Sequence, residues 1–485
     1  MTATVATGSP EPTATAHARS FSLADQQLFA ALSGDRNPMH LDAQAARRTQ
    51  AGDCVVHGVH AALWALDCLA ADGVPLSSLA SLRVAFNRFI HLDQPVRLTW
   101  RSPAAGSLKA QVELEGTAAV TLTLKFGPRG EADVAGWSGL SDLAIGNVPD
   151  QPASATFPDI AGRLVAPAAS ETFGAAFPHA CQALGTARIS ALALLSTLVG
   201  MICPGLHSVF SGFAVKLTEP ANAAGLFVRT RSFDERFRLA TIDISGSGVA
   251  GEVSAFERFA PVESRFADLA AQVTPGEFVG RRALIVGGSR GLGAATAKLI
   301  AAGGGQAVIT YVRGAEEAEK VRAEIVAACG AKSCTVLPFD AARDAAPQLA
   351  GLSGEITHFY YFATPRIFRQ SGTVFDPAVF TEFLRFYVDG FAATLQALLE
   401  RSGGTLHALY PSSVAVADRP KQMTEYAMAK AAGEILCADM ARAQARLTIS
   451  APRLPRILTD QTATVPPVEA ADAVATMLPL LRAEA

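Results

Sequence analysis

Hydrophobic residues follow one pattern in the first half of the chain and a different pattern in the second. In the first half, apolar and polar residues alternate along short runs, as at 112–115 and 237–244. Such alternation is typical of antiparallel strands with one buried face. Two continuous apolar stretches, 59–71 and 189–202, are predicted helices, and alternating runs follow each of them. The pattern therefore predicts two similar units, each a sheet wrapped around a central helix.

In the last part of the chain, short buried strands alternate with longer helical stretches. This rhythm predicts a parallel, doubly wound sheet. The predicted strands are 283–288, 306–311, 333–339, 356–362, 404–411 and 446–451, and the predicted helices lie near 292–302, 315–329, 377–400 and 424–443.

Two stretches rich in turn-forming residues, around 139–158 and 270–280, separate these parts. We therefore predict a flexible tail followed by three domains of ordinary size. The tail is 1–19 and the domains are 20–140, 155–265 and 280–485.

Composition narrows the class of protein. Of the 485 residues 50% are hydrophobic and 18% are charged, which excludes a disordered or fibrous chain. The net charge of −3 makes nucleic acid and anionic membranes poor partners. No apolar run reaches the ~18 residues of a spanning helix, and the N-terminus has no signal-peptide core. The seven cysteines show no metal-ligand spacing, so we predict reduced thiols, no metal and a cytoplasmic location.

A glycine-rich turn follows the first predicted strand of the last domain. Its glycines, Gly287, Gly291 and Gly293, let backbone N–H groups and a helix N-terminus approach a pyrophosphate closely. Because the turn lies between a predicted strand and a predicted helix, it indicates a dinucleotide site rather than a plain structural turn.

The end of the next strand indicates which dinucleotide binds. Arg313 follows it where an acidic residue would bind the ribose hydroxyls, and Arg290 lies inside the glycine turn. Two guanidinium groups there favour a 2′-phosphate and hence NADP(H). The alternative is that both are solvated surface arginines. Asp340, at the end of the third strand, is either an acceptor for the adenine amine or a simple turn aspartate.

Tyr426 and Lys430 are four residues apart on a predicted helix and therefore share one face. A phenol with an ordinary pKa of ~10 is a poor acid at neutral pH. An adjacent ammonium lowers that pKa toward the working range. Ser413, at the end of a predicted strand, is placed to hydrogen-bond a substrate carbonyl.

With the glycine turn and Ser413, the Tyr-x-x-x-Lys sequence resembles the short-chain dehydrogenases/reductases over all of 280–485. The resemblance implies that Tyr426 is the acid, that Lys430 is its pKa partner and a ribose ligand, and that Ser413 orients the carbonyl. The cofactor-binding residues predicted here are Gly287, Ser289, Arg290, Gly291, Leu292, Gly293, Arg313, Asp340 and Lys430.

Two positions depart from the pattern of that family. Phe362-Ala363-Thr364-Pro365 stands where the family has Asn-Asn-Ala-Gly. Tyr387 stands where the family has an asparagine on the following long helix. We therefore do not expect the usual proton relay through that asparagine to operate unchanged.

The other chemically informative passage runs from Ser33 to Asp42 and is followed by His57 and Gly58. Addition of water to an activated double bond needs a base for the water proton, an acid for the α-carbon and a donor for the enolate oxygen. Asp35 and His40 sharing one water supply the first two, and the N–H of Gly58 at a helix start supplies the third. Taken singly, Asp35 fits a turn residue and His57 a core histidine.

Gly-Asp-x-Asn-Pro-x-His followed by His-Gly is similar to the signature of the MaoC-like (R)-specific enoyl-thioester hydratases, which are hot-dog proteins. The resemblance implies Asp35 and His40 as the catalytic pair, Asn37 as their positioning neighbour and Gly58 as the oxyanion donor. Residues 196–208 resemble the helix-to-strand passage of a hot dog without its catalytic loop. The expected fold is an α+β double hot dog, with antiparallel sheets around central helices and a degenerate second half, followed by an α/β Rossmann domain with a doubly wound parallel sheet.

The two implied chemistries are consecutive steps on one acyl chain. They predict a bifunctional enzyme of 3-hydroxyacyl thioester metabolism, on CoA or an acyl carrier protein. One site would reduce 3-ketoacyl thioesters with NADPH, and the other would hydrate enoyl or dehydrate 3-hydroxyacyl thioesters. Fusion raises the effective concentration of the shared intermediate.

Two alternatives stay open. Either only the hydratase domain is active and the reductase-like domain is degenerate, or the chain is a non-catalytic carrier-protein docking scaffold with an NADP(H)-sensing domain. A homodimer through the long helices of the reductase-like domain is a further expectation from the family.

Overall fold

Ten strands from the first 257 residues form one continuous antiparallel sheet. The computed structural model describes residues 17–131, 135–219, 225–261, 263–368, 374–465 and 468–483. The chain divides into two units, Met1–Ala260 with Thr464–Pro467 and Pro261–Ala463 with Val468–Ala485.

The strands of the first unit follow the alternating pattern of its sequence. They are β1 (Ala18–Ser20), β2 (Leu79–Phe86), β3 (Pro95–Ala104), β4 (Ser107–Leu114), β5 (Thr117–Phe126), β6 (Ala161–Leu164), β7 (Ser208–Leu217), β8 (Leu226–Asp234), β9 (Leu239–Gly246) and β10 (Val249–Glu257). Their order in the sheet is β1-β3-β4-β5-β2-β7-β10-β9-β8-β6. Strands of both predicted hot-dog domains thus share one sheet.

The two halves of this sheet meet where β2 pairs with β7. Val84 lies opposite Phe213 and Leu82 opposite Val215, and all four side chains are buried. Because backbone hydrogen bonds and a common hydrophobic core cross this seam, the two halves form one folded unit.

Two of the helices in this unit are apolar and lie at its centre. The helices are α1 (Leu23–Ser33), α2 (Pro38–Leu41), α3 (Ala43–Arg47), α4 (Gly58–Ala71), α5 (Ser170–Ala176), α6 (Pro178–Leu184) and α7 (Thr186–Thr197), which continues as a π-helical turn, Leu198–Ile202. Short 3₁₀ turns lie at Leu76–Ser78, Ala135–Trp137, Ser154–Asp159 and Gly205–His207. Most side chains of α4 and α7 are buried, as expected for the central helix of each half.

The predicted flexible tail, 1–19, overlaps a strand at its C-terminal end. Residues 1–16 lie outside the described residues, but Ala18–Ser20 form β1 and pair with β3. Ala18 is opposite Arg97 and Ser20 is opposite Pro95. The short strand escaped prediction because three residues are too few to show an alternating pattern.

The second unit contains the predicted parallel sheet, so the fold class is confirmed in both parts of the chain. Its strands are β11 (Arg282–Val286), β12 (Gln306–Tyr311), β13 (Cys334–Pro338), β14 (His358–Tyr361), β15 (Leu406–Leu409) and β17 (Leu447–Ser450), in the order β13-β12-β11-β14-β15-β17. Every pair in this sheet is parallel. Two short strands, β16 (Ser412–Ser413) and β18 (Arg453–Leu454), form a separate parallel pair.

Helices connect these strands. They are α8 (Phe266–Ala270), α9 (Gly291–Ala302), α10 (Ala315–Cys329), α11 (Ala345–Leu349), α12 (Pro377–Leu384), α13 (Phe391–Arg401), α14 (Ala415–Asp418), α15 (Thr424–Ala443) and α16 (Ala473–Ala483). A π-helical turn, Arg385–Gly390, joins α12 to α13, so the long helix predicted at 377–400 is interrupted at its centre.

Among the described residues, no single helix is both long and apolar enough to span a membrane. One strongly bent pair, Pro178–Leu184 with Thr186–Ile202, meets the length and composition criteria only when its two helices are taken together.

Candidate active sites

The loop that follows α1 positions the first site. A capping box starts α1, in which the Ser22 side chain accepts from the Asp25 N–H and the Asp25 carboxylate accepts from the Ser22 N–H. The helix ends at Gly34, whose φ of +91° is left-handed and suits glycine. The chain therefore turns sharply and directs Asp35 into the interior, where it is 1% exposed.

Two donors hold the buried carboxylate of Asp35. The Ser196 hydroxyl donates to Oδ2 at 2.6 Å, and the backbone N–H of Asn37 donates to Oδ1 at 3.0 Å. Burial raises the pKa of Asp35, while His40 and the two hydrogen bonds lower it again. Burial is the largest of these effects, so the pKa of Asp35 lies above its ordinary value.

His40 lies beside Asp35 as the sequence predicts. Its Nδ1 is 2.8 Å from the Val55 carbonyl oxygen. Because a carbonyl only accepts, Nδ1 carries the hydrogen and Nε2 keeps its lone pair. Burial lowers the pKa of His40, so the neutral ring is favoured. Polar atoms of Asp35, His40 and His57 lie within 4.8 Å of one another, so a carboxylate and an imidazole base meet at one point.

His57 is held in place by contacts with neighbouring side chains. It is fully buried, and both its backbone N–H and its Nδ1 contact the Gln26 side-chain oxygen, at 3.0 and 2.9 Å. Its ring stacks on that of His40 with centroids 3.8 Å apart. These contacts agree with the interpretation of His57 as a core histidine that supports His40.

Gly58 begins α4, so its N–H belongs to the first turn and has no acceptor within the helix. A Cβ at this position would lie 2.7 Å from the Phe86 ring. Glycine is therefore needed for close packing here. An N–H that has no acceptor within its own helix is compatible with the predicted oxyanion role.

The second half of the unit completes this site, which sequence reasoning missed. Ser196 comes from α7, and a Cβ at Gly200, in the following π-helical turn, would meet the Asp35 carboxylate. The Asn37 amide donates to the Gly200 carbonyl at 2.9 Å and lies 3.3 Å from that of Gly205. The available signal for Ser196 was a pair of adjacent hydroxyl residues, Ser196 and Thr197, within the apolar stretch 191–202.

The glycine turn of the second unit fits a dinucleotide phosphate. Gly287 has φ of +81°, and a Cβ there would lie 3.0 Å from the backbone of Phe362. A Cβ at Gly293 would collide with the Gly287 carbonyl, so glycine permits the close approach of α9 to the turn. Gly291 starts α9, whose N-terminal N–H groups form the positive end of the helix dipole. Ser289 and Leu292 lie in the same turn.

The other predicted cofactor residues lie in different environments. Arg290 precedes α9, with Nη1 3.8 Å from an Asp460 carboxylate oxygen. Arg313 is exposed just after β12 ends. Asp340 accepts from the Ala342 N–H at 2.9 Å and contacts Arg343 at 3.2 Å, as a turn aspartate does. The structure thus gives Asp340 a structural role whether or not it meets adenine.

Tyr426, Ser413 and Lys430 meet between α15 and β16. Burial raises the pKa of Tyr426, and a hydrogen bond with Ser413 opposes that rise. The Lys430 Nζ lies 6.0 Å from the centroid of the Tyr426 ring and donates to the Pro411 carbonyl at 2.7 Å. Burial lowers the pKa of Lys430 to about 7.

The two departures from the reductase pattern lie together. The hydroxyls of Thr364 and Tyr387 are 2.6 Å apart. Tyr387 is fully buried, and the Lys430 ammonium lies 3.9 Å from the centroid of its ring. Phe362 follows β14 and packs against the glycine turn.

Comparison with protein families identifies both parts of the chain. Residues 6–121 match the family model of the MaoC like domain, and residues 281–465 match that of the short chain dehydrogenases. The chain joins a MaoC-like domain to a short-chain dehydrogenase domain. Both resemblances drawn from the sequence are thereby confirmed.

Solved structures give a weaker likeness. A short chain dehydrogenase from Burkholderia cenocepacia J2315 in complex with NADP is 25% identical, with 42% of this chain and 91% of that chain covered and a TM-score of 0.38. A short chain dehydrogenase from Shigella flexneri 2A str. 301 complexed with NADP is 18% identical, with 43% and 92% covered and a TM-score of 0.39. The Pseudomonas aeruginosa RhlG/NADP complex is 23% identical, with 39% and 78% covered and a TM-score of 0.35. No curated protein matches the chain significantly.

The amide of Asn37 provides a test of the MaoC-like site that needs no substrate. In an Asn37→Asp variant, a carboxylate would face the carbonyls that the amide now donates to. Burying that charge unpaired should lower the free energy of unfolding by about 3 kcal/mol or more at pH 8. The new carboxyl would have a raised folded-state pKa, so the deficit relative to wild type should shrink as the pH falls through that pKa.

Tryptophan fluorescence can follow this unfolding, because all three tryptophans, Trp64, Trp100 and Trp137, lie in the first unit. The matched control is Asn87→Asp, since the Asn87 side chain is exposed. Equal losses in both variants, or a deficit independent of pH, would contradict the described contacts.

Proposed function

We propose that the chain is a bifunctional enzyme of 3-hydroxyacyl thioester metabolism. One site hydrates enoyl thioesters or dehydrates 3-hydroxyacyl thioesters, and the other reduces 3-ketoacyl thioesters with NADPH. The observation that carries the proposal is the presence of two complete acid–base groups on one chain. They are Asp35 with His40 in the MaoC-like domain, and Tyr426 with Ser413 and Lys430 in the dehydrogenase domain.

In the hydratase site, the base is the lone pair of His40 Nε2 together with the Asp35 carboxylate. They take a proton from a shared water, and its oxygen bonds to the β-carbon of the enoyl thioester. The electron pair of the double bond moves toward the thioester oxygen, where the Gly58 N–H stabilises the negative charge. The protonated member of the pair then returns a proton to the α-carbon. Dehydration is the same sequence reversed.

In the reductase site, Ser413 and Tyr426 bind the oxygen of the ketone. NADPH held beside this site would supply the hydride for the carbonyl carbon. Tyr426 donates its proton to the oxygen as negative charge develops there, which completes the alcohol. Lys430 supplies positive charge next to the phenol and binds the ribose. The glycine turn at 287–293 holds the pyrophosphate against the N-terminus of α9, and Arg290 and Arg313 favour the phosphorylated cofactor.

The thioester carrier is CoA or an acyl carrier protein. The active form of the chain is a homodimer, and its location is cytoplasmic. The alcohol made by the reductase site is the substrate class of the dehydratase site. Their covalent union raises the effective concentration of that intermediate.

Variants of one residue at each site should separate the two activities. Tyr426→Phe should abolish NADPH oxidation with acetoacetyl-CoA and spare the hydration of crotonyl-CoA, because the phenol is the acid of only one site. Asp35→Ala should do the reverse. Both reactions are followed by absorbance, and loss of both activities in either variant would count against two independent sites.

Ser196 should set the pH range of hydration. In Ser196→Ala, the Asp35 carboxylate loses a charge-assisted hydrogen bond, so its pKa rises further. Such a bond is worth about 1.5–3 kcal/mol. Activity requires the ionised carboxylate, and the acidic limb of the crotonyl-CoA rate profile should therefore move to higher pH by about one unit or more. Ser190→Ala, on the same helix, is the matched control. An unmoved acidic limb would exclude Ser196 from this role.

A further inference from the structure

Lys430 lies in an aromatic enclosure that its sequence motif does not predict. Its ammonium is 3.9 Å from the centroid of the Tyr387 ring, 4.8 Å from that of Tyr410 and 6.0 Å from that of Tyr426. One hydrogen bond, to the Pro411 carbonyl, is described for it. The nearest of these rings is therefore a main source of stabilisation for a charge that is otherwise withdrawn from water.

The ring of Tyr387 is fixed on several sides. Its hydroxyl meets that of Thr364 at 2.6 Å, and its ring stacks on Phe383 with centroids 5.6 Å apart. It also meets the Tyr426 ring edge to face at 5.7 Å. The residue lies in the π-helical turn Arg385–Gly390. A ring held in this way presents one face to the ammonium without losing side-chain entropy when the site operates.

Two residues that depart from the dehydrogenase pattern contact each other next to the lysine of the Tyr-x-x-x-Lys motif. Thr364 and Tyr387 are two of the positions at which the chain differs from the dehydrogenase pattern, and their hydroxyls are hydrogen-bonded to each other. Independent decay of an inactive domain gives no reason for two altered positions to form a hydrogen bond and enclose the motif lysine. Their contact favours a coordinated replacement.

We propose that Tyr387 is a positioning residue of the reductase site, which holds the Lys430 ammonium on its ring face while the Thr364 hydroxyl fixes the ring. This inference rests on the proposed reductase function. In this arrangement the aromatic face takes the place of an amide-based relay next to the lysine.

Other charged and titratable groups near Lys430 must be considered. On the same helix, Glu434 and Cys437 favour the ammonium form. Glu434 also pairs with Arg453 and accepts from Ser412, so much of its charge is already neutralised. On the elements packed against that helix, Tyr387, Tyr410 and Ser413 face the site and are uncharged at neutral pH. Removing the face of Tyr387 should therefore lower the pKa of Lys430.

The test compares residues of different ring character at position 387. Tyr387→Phe keeps an aromatic face, and Tyr387→Leu removes it. The high-pH limb, where Lys430 loses its proton, is measured both for NADPH binding by fluorescence and for reduction of acetoacetyl-CoA. We expect Tyr387→Leu to move both limbs to lower pH by about one unit, and Tyr387→Phe to leave their position near that of wild type.

Two further variants distinguish the loss of the aromatic face from a general disturbance of the core. Phe359→Leu removes a buried aromatic ring of the same core, whose described ring contacts are with Tyr361 and Phe391, and should leave the limbs in place. If Tyr387→Leu does not fold, 3,4,5-trifluorophenylalanine at position 387 keeps the shape of phenylalanine and weakens the negative ring face. It should move the limbs in the same direction as leucine relative to Tyr387→Phe.

The outcomes separate this inference from the proposed function. Equal limb positions for the aromatic, fluorinated and aliphatic variants would overturn the role of Tyr387. The same shift in Phe359→Leu would also overturn it. A wild-type chain that binds NADPH but reduces no 3-ketoacyl thioester would instead overturn the reductase proposal, while the binding limb still tests Tyr387.

Discussion

Removal of ionisable groups from water is the constraint on which both sites depend. Asp35 is 1% exposed and Lys430 is 6% exposed, and in each case burial shifts the pKa toward the neutral form. A buried charge survives only if dipoles, hydrogen bonds or aromatic faces replace the lost hydration. The local structure of each site supplies that replacement, through Ser196 and the Asn37 N–H for the carboxylate and through Tyr387 and the Pro411 carbonyl for the ammonium.

This shared constraint gives two different solutions. At Asp35, short polar groups point at a fixed carboxylate, which can then exchange a proton with the neighbouring imidazole. At Lys430, the surroundings are mainly aromatic, and among the described residues the ammonium donates one hydrogen bond, to the Pro411 carbonyl. The first arrangement favours proton transfer, and the second opposes the effect of burial by stabilising the ammonium form. Each matches the role that its family gives to the residue.

Much of the fold could be predicted from the sequence, because its periodic patterns are strong. The strands predicted at 283–288 and 306–311 correspond to Arg282–Val286 and Gln306–Tyr311, and the helix predicted at 424–443 is Thr424–Ala443. Local motifs also brought Asp35 and His40 together correctly. What could not be predicted were contacts between distant parts of the chain. Ser196 reaches Asp35 across 161 positions, and the Thr364–Tyr387 bond depends on the packing of a π-helical turn that has no sequence pattern of its own.

The pairing of β2 with β7 limits how the chain can be divided. The second half, whose sequence shows no acid–base loop, provides residues against which the Asp35 carboxylate rests, and its backbone continues the sheet of the first half. Either half alone would expose an unpaired sheet edge and part of the common hydrophobic core. A gene fragment that encodes only one half should therefore yield neither a stable fold nor a competent catalyst.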